Sequence, residues 1–352
     1  MFMNKNVRAD DCSHTKIGFL DRPGFKIYLS YRKRVLMFLR RFLSSFSFFY
    51  FSFLLWYFRK CHKNSLILTY SGIHPRFDIE GEQSTMVWYF AEDCMPSQRF
   101  IHLIADYGLG DPSFGEVIQR LTNLLPEATI HPTSVPAFDT LATGFWIYQY
   151  AFGEHPKGMA IFANTAPRKD NKQPRRDNEG EGLMYALLEN GVEVMAVNSG
   201  YCFSFVRPQM KKFHAVLVRN KGSQFRSRDF YPQVFAKHLN GGNVLGKSVD
   251  PSVIPDIPKH QIAWVDGYGN IKTTVRQSAL KIKPGTKVKV AINGVKRTAL
   301  VVGGVFSVAE GELSLSPGSS GHGDRFCELI LRGGSAALLF DYPKIGSVVK
   351  FS

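Results

Sequence analysis

The sequence has few cysteines, and no two of them are close enough along the chain to form a motif. The five cysteines, Cys12, Cys61, Cys94, Cys202 and Cys327, lie far apart without a CxxC motif, and no HExxH motif accompanies them. A disulfide framework and a structural zinc site are therefore not expected, and we predict no metal site. The expected location is a reducing compartment, the cytoplasm.

Apolar runs long enough to cross a membrane are also scarce. The main candidate is the uncharged stretch 42–58, FLSSFSFFYFSFLLWYF, which is at the lower length limit for a membrane-spanning helix. Basic residues flank both of its ends, so the positive-inside rule gives no orientation. Two interpretations of residues 1–97, an atypical basic and Phe-rich extension, stay open. One is a membrane anchor; the other, slightly favoured, is sequence upstream of a true start at Met86 or Met95. Membrane contact is expected only if this extension is native.

Acidic residues are fewer than basic ones, with 29 Asp and Glu against 44 Lys and Arg and a formal net charge of +15. Such a balance suggests nucleic acid or an anionic membrane as a partner. Residues 1–60, however, hold 12 Lys and Arg against three Asp, a net +9, which leaves +6 for the other 292 residues. Because the excess lies mainly in this tail and no recognisable binding module accompanies it, we expect no nucleic-acid partner.

Alternating strand and helix patterns predict an α/β domain over residues 98–245. The apolar run 100–105, FIHLIA, is typical of a buried parallel strand. After Asp106 and a glycine turn, Asp111 and Pro112 mark the start of a helix whose apolar residues recur at helical spacing. Further helices are predicted near 141–152 and 230–239, strands near 159–163, 192–197 and 215–218, and a solvated charged loop over 168–182.

Helical patterns cease near Gln261. Strand-like runs separated by turns at Asn293-Gly294 and Pro317-Gly318 then predict a small all-β domain over 258–352. The predicted fold class is an α/β N-terminal domain followed by a small all-β, barrel-like C-terminal domain. The predicted strands of the second domain are 287–292, 298–302, 329–331 and 347–351.

Six stretches between Phe100 and the C-terminus carry a resemblance to a known family. They are ADYGLGDPSFG (105–115), VPAFD (135–139), HPKG (155–158), FRSRDFYP (225–232), VDGYGNIKT (265–273) and GGSAALL (333–339). In this order they resemble the S-adenosylmethionine (SAM) hydroxide adenosyltransferases, a family that includes SAM-dependent chlorinases and fluorinases. The resemblance implies SAM as substrate, no further cofactor, and a homotrimer. Its active sites would lie between the α/β domain of one subunit and the barrel of its neighbour.

SAM presents a ribose diol, an adenine, an ammonium and a carboxylate, so its site needs carboxylates and amide groups. Asp106 stands at the carboxyl end of the first predicted strand, where open α/β sheets bind ligands, and the resemblance assigns it to the ribose hydroxyls. The other substrate-binding residues implied by the resemblance are Asp111, Ser113 and Asp266 for the ammonium, Asn270 for adenine, Phe138 and Tyr268 as aromatic neighbours, and Ser319 and Ser320 for the carboxylate. Structural alternatives stay open: Asp111 as a helix cap only, and Gly269-Asn270 as a hairpin turn only.

The catalytic positions depart from the family pattern. Attack at the 5′ carbon expels neutral methionine, so the enzyme must position and desolvate a nucleophile. Hydrolytic members hold water with an aspartate and a histidine, whereas this chain has Ala166 and Arg226 at the corresponding positions. Arginine cannot act as a base near neutral pH. Ser227 matches a serine that contacts halide in fluorinases, although a serine in a loop is also a common turn residue.

Two classes of function therefore stay open. The favoured one is cleavage of SAM to adenosine and methionine by water or hydroxide, with Arg226, Ser227 and Arg176 or Arg175 lining an altered nucleophile pocket. A SAM-dependent halogenase is a less favoured variant. The second class is a catalytically degenerate protein that binds SAM or adenosine and has lost the water site.

Overall fold

The computed structural model describes residues 99–169, 172–174, 180–219 and 223–352, together with the backbone of four strands nearer the N-terminus. The chain divides into the units Met1–Pro96 and Ser97–Ser352. In the first unit a sheet of order β1-β2-β4-β3, which sequence patterns did not predict, is formed by β1 (Lys16–Arg22), β2 (Phe25–Tyr31), β3 (Ile73–Glu80) and β4 (Gln83–Phe90). The candidate anchor 42–58 lies outside the described residues. None of the helices in the described ranges has the length and apolarity needed to span a bilayer.

The first sheet of the second unit has seven strands in the order β11-β10-β8-β9-β7-β5-β6. Strands β6, β5, β7 and β9 run parallel to one another, whereas β8, β10 and β11 extend the sheet in antiparallel pairing. The strands are β5 (Phe100–Ala105), β6 (Thr129–Ser134), β7 (Ala160–Asn164), β8 (Leu183–Leu188), β9 (Glu193–Val197), β10 (Met210–Val216) and β11 (Leu245–Ser248).

Helices cover both faces of this sheet, which explains why β5 is apolar along its whole length. Helix α1 (Pro112–Leu124) and helix α4 (Tyr231–Leu239) pack on one face, where they share a core with Leu103. Helix α2 (Thr140–Phe152) packs on the other face against Ile104. A single-turn helix, α3 (Arg226–Asp229), precedes α4.

The second sheet has the order β12-β13-β17-β16-β15-β14-β18 and is antiparallel except for the β15–β16 pair. Hydrogen bonds from Ile262 N to Ser347 O (2.9 Å) and from Val349 N to His260 O (2.7 Å) join the beginnings of its two end strands, so the sheet curls back on itself. Its strands are β12 (Ile262–Val265), β13 (Ile271–Arg276), β14 (Lys287–Ile292), β15 (Val295–Val301), β16 (Leu313–Pro317), β17 (Phe326–Leu331) and β18 (Val349–Phe351).

One short helix interrupts the part of the chain that was predicted to contain strands alone. Helix α5 (Ala336–Leu339) begins after Ser335, whose hydroxyl accepts a hydrogen bond from Leu338 N at 3.2 Å. The prediction that helices end near Gln261 is therefore wrong at this point, because a capped single turn is too short to give a periodic pattern.

Aromatic residues connect the two sheets of the second unit. Phe326 of β17 packs against Phe145 of α2 and against Phe205, with ring centroids 5.7 and 5.8 Å apart. The Arg276 guanidinium lies 3.8 Å from the centroid of the Phe326 ring and 4.8 Å from that of Tyr148. The second unit is thus a mixed α/β fold with two sheets that share aromatic contacts. Its division into an α/β domain and a barrel-like all-β domain stays a prediction.

Candidate functional site

The carboxyl ends of three neighbouring parallel strands meet at one edge of the first sheet. Strand β5 ends before Asp106, β7 ends at Asn164 and β9 ends at Val197. Ligands of open α/β sheets bind outside this edge. A cavity of about 640 Å³ lies there, and its lining includes Asp106, Asp111, Ser113, Ala166, Arg226 and Ser227 from the residues singled out in the sequence.

Asp106 is half-buried and linked to a strained turn. Its Oδ2 accepts a hydrogen bond from Phe138 N at 3.0 Å. Burial raises the pKa of Asp106, and the Phe138 N–H opposes that rise. Phe138 has φ of +64°, a conformation that L-residues rarely adopt, and its side chain is half exposed. Strained residues often occur at ligand-binding turns, which makes this turn a candidate for one.

Tyr107 organises the polar groups behind Asp106. Its hydroxyl donates to Ser227 Oγ at 2.7 Å and accepts from Asn164 Nδ2 at 2.8 Å. Burial raises the pKa of Tyr107 to about 12, so the phenol stays protonated and remains a donor. Because Ser227 Oγ accepts this bond, its own proton stays available for another acceptor.

Glu181 lines the cavity together with two arginines, Arg168 and Arg226. The side chain of Glu181 is buried, and its Oε1 accepts a hydrogen bond from Arg168 N at 2.6 Å. Its backbone oxygen accepts from Arg226 Nη2 and from the Tyr231 hydroxyl, both at 3.3 Å. The Arg226 guanidinium also lies over the Tyr231 ring, 5.5 Å from its centroid. Residue 181 was predicted to lie in a solvated loop; that prediction is wrong for this side chain, because long-range contacts bury it.

Asp111 and Ser113 stand where helix α1 meets the cavity. Asp111 Oδ1 accepts from Ser113 N at 2.7 Å, so the carboxylate caps the helix. Arg228, also in the lining, pairs with Glu116 at 2.9 Å and with Asp229 at 2.8 Å. The helix cap therefore uses one carboxylate oxygen of Asp111. The role of Asp111 in binding the ammonium group of SAM stays a prediction.

The remaining predicted residues form a second polar group, on the curled sheet. Asp266 holds the β12–β13 turn: its Oδ1 accepts from Tyr268 N and Asn270 N, and its Oδ2 accepts from Asn270 Nδ2, all at 3.0 Å. Gly269 has φ of +81°, which the turn requires. The structure therefore contains the hairpin turn that was the alternative interpretation of Gly269-Asn270. Tyr268 lies at the tip of this turn and is 83% exposed.

A buried ion pair connects this turn to the two predicted serines. Lys272 Nζ lies 2.8 Å from Glu328 Oε1, 3.1 Å from Ser319 Oγ and 3.6 Å from Asp266 Oδ2. Glu328 Oε1 also accepts from Ser319 N at 3.0 Å and from Ser320 Oγ at 3.2 Å. Ser320 is buried, so of the two serines Ser319 is the one placed beside a cation that could neutralise a bound carboxylate.

The structure thus sorts the predicted residues into two groups. Asp106, Asp111, Ser113, Arg226 and Ser227 line the cavity and Phe138 adjoins it, whereas the Asp266 turn and the serine pair lie outside its lining. Arg176 lies outside the described residues. Sequence reasoning missed Tyr107, Asn164, Arg168, Glu181, Lys272 and Glu328. Of these, Tyr107 and Asn164 had a usable signal, since each stands at the end of a predicted parallel strand.

No metal centre is evident among the described residues, because no three His, Cys, Asp or Glu side chains come together there. Cys202 and Cys327 are free and buried.

Comparisons with known proteins bear on the fold. No protein-family model and no curated protein matches the sequence. An uncharacterized conserved protein from Thermotoga maritima is similar in structure, with a TM-score of 0.59 and 19% identity over 72% of this chain and 100% of its own. A conserved hypothetical protein from Thermus thermophilus has a TM-score of 0.52 and 21% identity over the same shares. At these identities the likeness shows a shared fold alone.

Proposed function

We propose that the protein binds SAM and cleaves it to adenosine and methionine by attack of water at the 5′ carbon. The observation that carries the proposal is Asp106, a half-buried carboxylate at the carboxyl end of β5, in a cavity shared with Asp111, Ser113 and Ser227. Carboxylates suit both the diol and the positive charges of SAM, because hydrogen bonds to ionised groups are the stronger ones. SAM is named as the ligand because the six sequence stretches, in their order along the chain, resemble the SAM-dependent family.

The two groups of predicted residues support a site completed by a second copy of the chain. Phe138 and Leu109, near Asp106 and Asp111, are exposed, and so are Tyr268 and Leu338 on the other group. A neighbouring subunit packed against these side chains would remove their apolar surface from water. In a homotrimer the turn at Asp266 would close the cavity of a neighbouring subunit, as the resemblance implies.

One observation favours the second candidate, a SAM- or adenosine-binding protein without turnover. Ala166 contributes no polar side chain to the cavity, and the Arg226 guanidinium donates to a backbone oxygen of the wall itself. Binding without release of adenosine would identify this alternative.

The test uses the full chain incubated with SAM, with calorimetry for binding and chromatography for adenosine. We expect SAM binding and adenosine release from the parent protein. Asp106→Asn and Asp266→Asn should each weaken binding roughly 10- to 150-fold, which corresponds to about 1.5–3 kcal/mol for a hydrogen bond to a charged group. Asp256→Asn is the matched control, since Asp256 is an exposed partner of Arg207 outside the cavity.

Two results would contradict the proposal in different ways. Unchanged SAM affinity in both site variants would mean that the resemblance describes the fold and not the site. Normal affinity in the parent without adenosine would leave the binding assignment intact and overturn the reaction.

A further inference from the structure

A buried carboxylate outside the motifs lines the cavity. Glu181 is 6% exposed, and the residue belongs to the same lining as Asp106, Ser227 and Ala166. A buried carboxylate is costly unless its oxygens have partners. A buried polar group in the lining of a cavity is therefore a candidate for chemistry and not only for packing.

The contacts of Glu181 hold it firmly and leave one oxygen available. Arg168 N donates to Oε1 at 2.6 Å, and the backbone oxygen is fixed by Arg226 and Tyr231. Within the described part of the chain, Oε2 accepts no hydrogen bond. A fixed carboxylate that belongs to a cavity lining and has a vacant acceptor suits a hydrogen-bond donor such as water.

The charges around Glu181 favour a neutral nucleophile over a halide. The cavity is lined by the carboxylates of Asp106, Asp111, Glu116 and Glu181 and by the guanidinium groups of Arg168, Arg226 and Arg228. Arg228 is already paired with Glu116 and Asp229. Four carboxylates against three guanidinium groups leave the lining without an excess of positive charge that could hold an anion. The contacts to Glu181 itself come from the Arg168 backbone N–H, the Arg226 guanidinium and the Tyr231 hydroxyl.

We propose that Glu181 is a catalytic residue that binds the attacking water and accepts its proton. This assignment rests on the proposed SAM cleavage. The water oxygen forms a bond to the 5′ carbon, and the bond between that carbon and sulfur breaks. The electron pair stays on the sulfur of the departing methionine, and one water proton moves to Glu181 Oε2. A general base must lie within hydrogen-bond reach of the proton that it removes.

Glu181→Gln in the full chain tests the assignment. Glutamine keeps the shape and the oxygen that accepts from Arg168 N, but it cannot take a proton from water. We expect adenosine release to fall roughly 100- to 10,000-fold, the usual contribution of a general base, with the SAM dissociation constant and the melting temperature unchanged. Glu189→Gln is the matched control, because Glu189 is exposed and outside the cavity lining.

A second signature separates base catalysis from a structural role. Added formate should restore part of the adenosine release of Glu181→Ala, because a free carboxylate can occupy the space left by the side chain. With sodium chloride present, the parent should still give adenosine and no 5′-chloro-5′-deoxyadenosine.

Each of the remaining outcomes would contradict one specific part of the proposal. Parental activity in Glu181→Gln overturns the catalytic assignment alone. Lower melting temperature and weaker SAM binding in Glu181→Gln would make the residue a structural support of the Arg168 turn. Chlorinated product from the parent overturns water as the nucleophile. Failure of the parent to bind SAM overturns the proposed function itself.

Discussion

Lys272 and Glu328 form the most buried ion pair described on the curled sheet, and they link two parts of the second polar group. Lys272 reaches Asp266 and Ser319, while Glu328 accepts from Ser319 and Ser320. Removing one partner of a buried pair leaves the other charge without compensation, whereas removing both charges is far less costly. The pair therefore couples the stability of the sheet to the geometry of the candidate ligand residues.

Lys272→Met should lower the free energy of unfolding by about 3–5 kcal/mol, because Glu328 is then buried without its cation. Adding Glu328→Gln should recover most of this loss, since the amide oxygen still accepts from Ser319 N and Ser320 Oγ. Urea denaturation of both variants measures the effect. The control Lys281→Met, at an exposed lysine, should stay within about 0.5 kcal/mol of the parent. Equal losses in the single and double variants would contradict the coupling.

The sequence identified the site residues that depend on local pattern and missed those that depend on distant contacts. Asp106 could be found because a buried strand ends just before it. Glu181 could not, since its partners Arg168 and Tyr231 are distant along the chain and its own surroundings read as a charged loop. Lys272 was missed because a lysine in a short strand is usually solvent-facing, and only the packing of β13 against β17 shows its partner.

At the scale of elements, helix α2 lies very close to the backbone of Tyr201. This close approach is possible because residue 144 is a glycine and has no side chain. A Cβ on Gly144 would collide with the Tyr201 backbone oxygen and would lie 3.1 Å from Phe205 Cδ2. Gly115 in α1 is exposed, and a Cβ there would meet nothing within 4 Å. The two glycines share a helical conformation and differ in their surroundings.

Gly144→Ala should destabilise the protein by about 1–3 kcal/mol, the usual cost of overpacking. Gly115→Ala should instead stabilise it by about 0.5–1 kcal/mol, because alanine is the better helix former. Thermal unfolding of the two variants compares them directly. A gain in stability for Gly144→Ala would contradict the close approach of α2 to Tyr201.

The bounds of several elements were predicted to within a residue or two, but the apolar strand β8 was not predicted. Strand β5 and strand β14 match their predicted bounds, and α1 begins at Pro112 after the predicted cap. Strand β6, with the sequence TIHPTS, was missed because its proline and polar residues are those of an edge strand. Strand β10 begins earlier than predicted because Met210 and Lys212 pair with β8, with a shift of register between them.

At the scale of the whole molecule, the proposed site takes Asp106 from one subunit and Asp266 from its neighbour. Mixing chains that carry Asp106→Asn with chains that carry Asp266→Asn, after partial denaturation and reassembly, should therefore restore activity. In a random trimer about a quarter of the sites would combine two intact aspartates. Adenosine release from the mixture measures this recovery. Absence of recovery from a mixture of confirmed trimers would place both aspartates in one subunit's site or in none.

The hydrogen bonds between the beginnings of β12 and β18 have a consequence for how chains can associate. A sheet whose outer strands bond to each other offers few unpaired N–H and C=O groups, so a foreign strand has little edge to extend. Association through this part of the molecule must then use side chains, with no exchange of backbone pairing. Lateral growth into fibres through added strands is thereby disfavoured. In the proposed trimer, subunits would be able to separate and rejoin while the backbone pairing of the sheet that carries Asp266 stays intact.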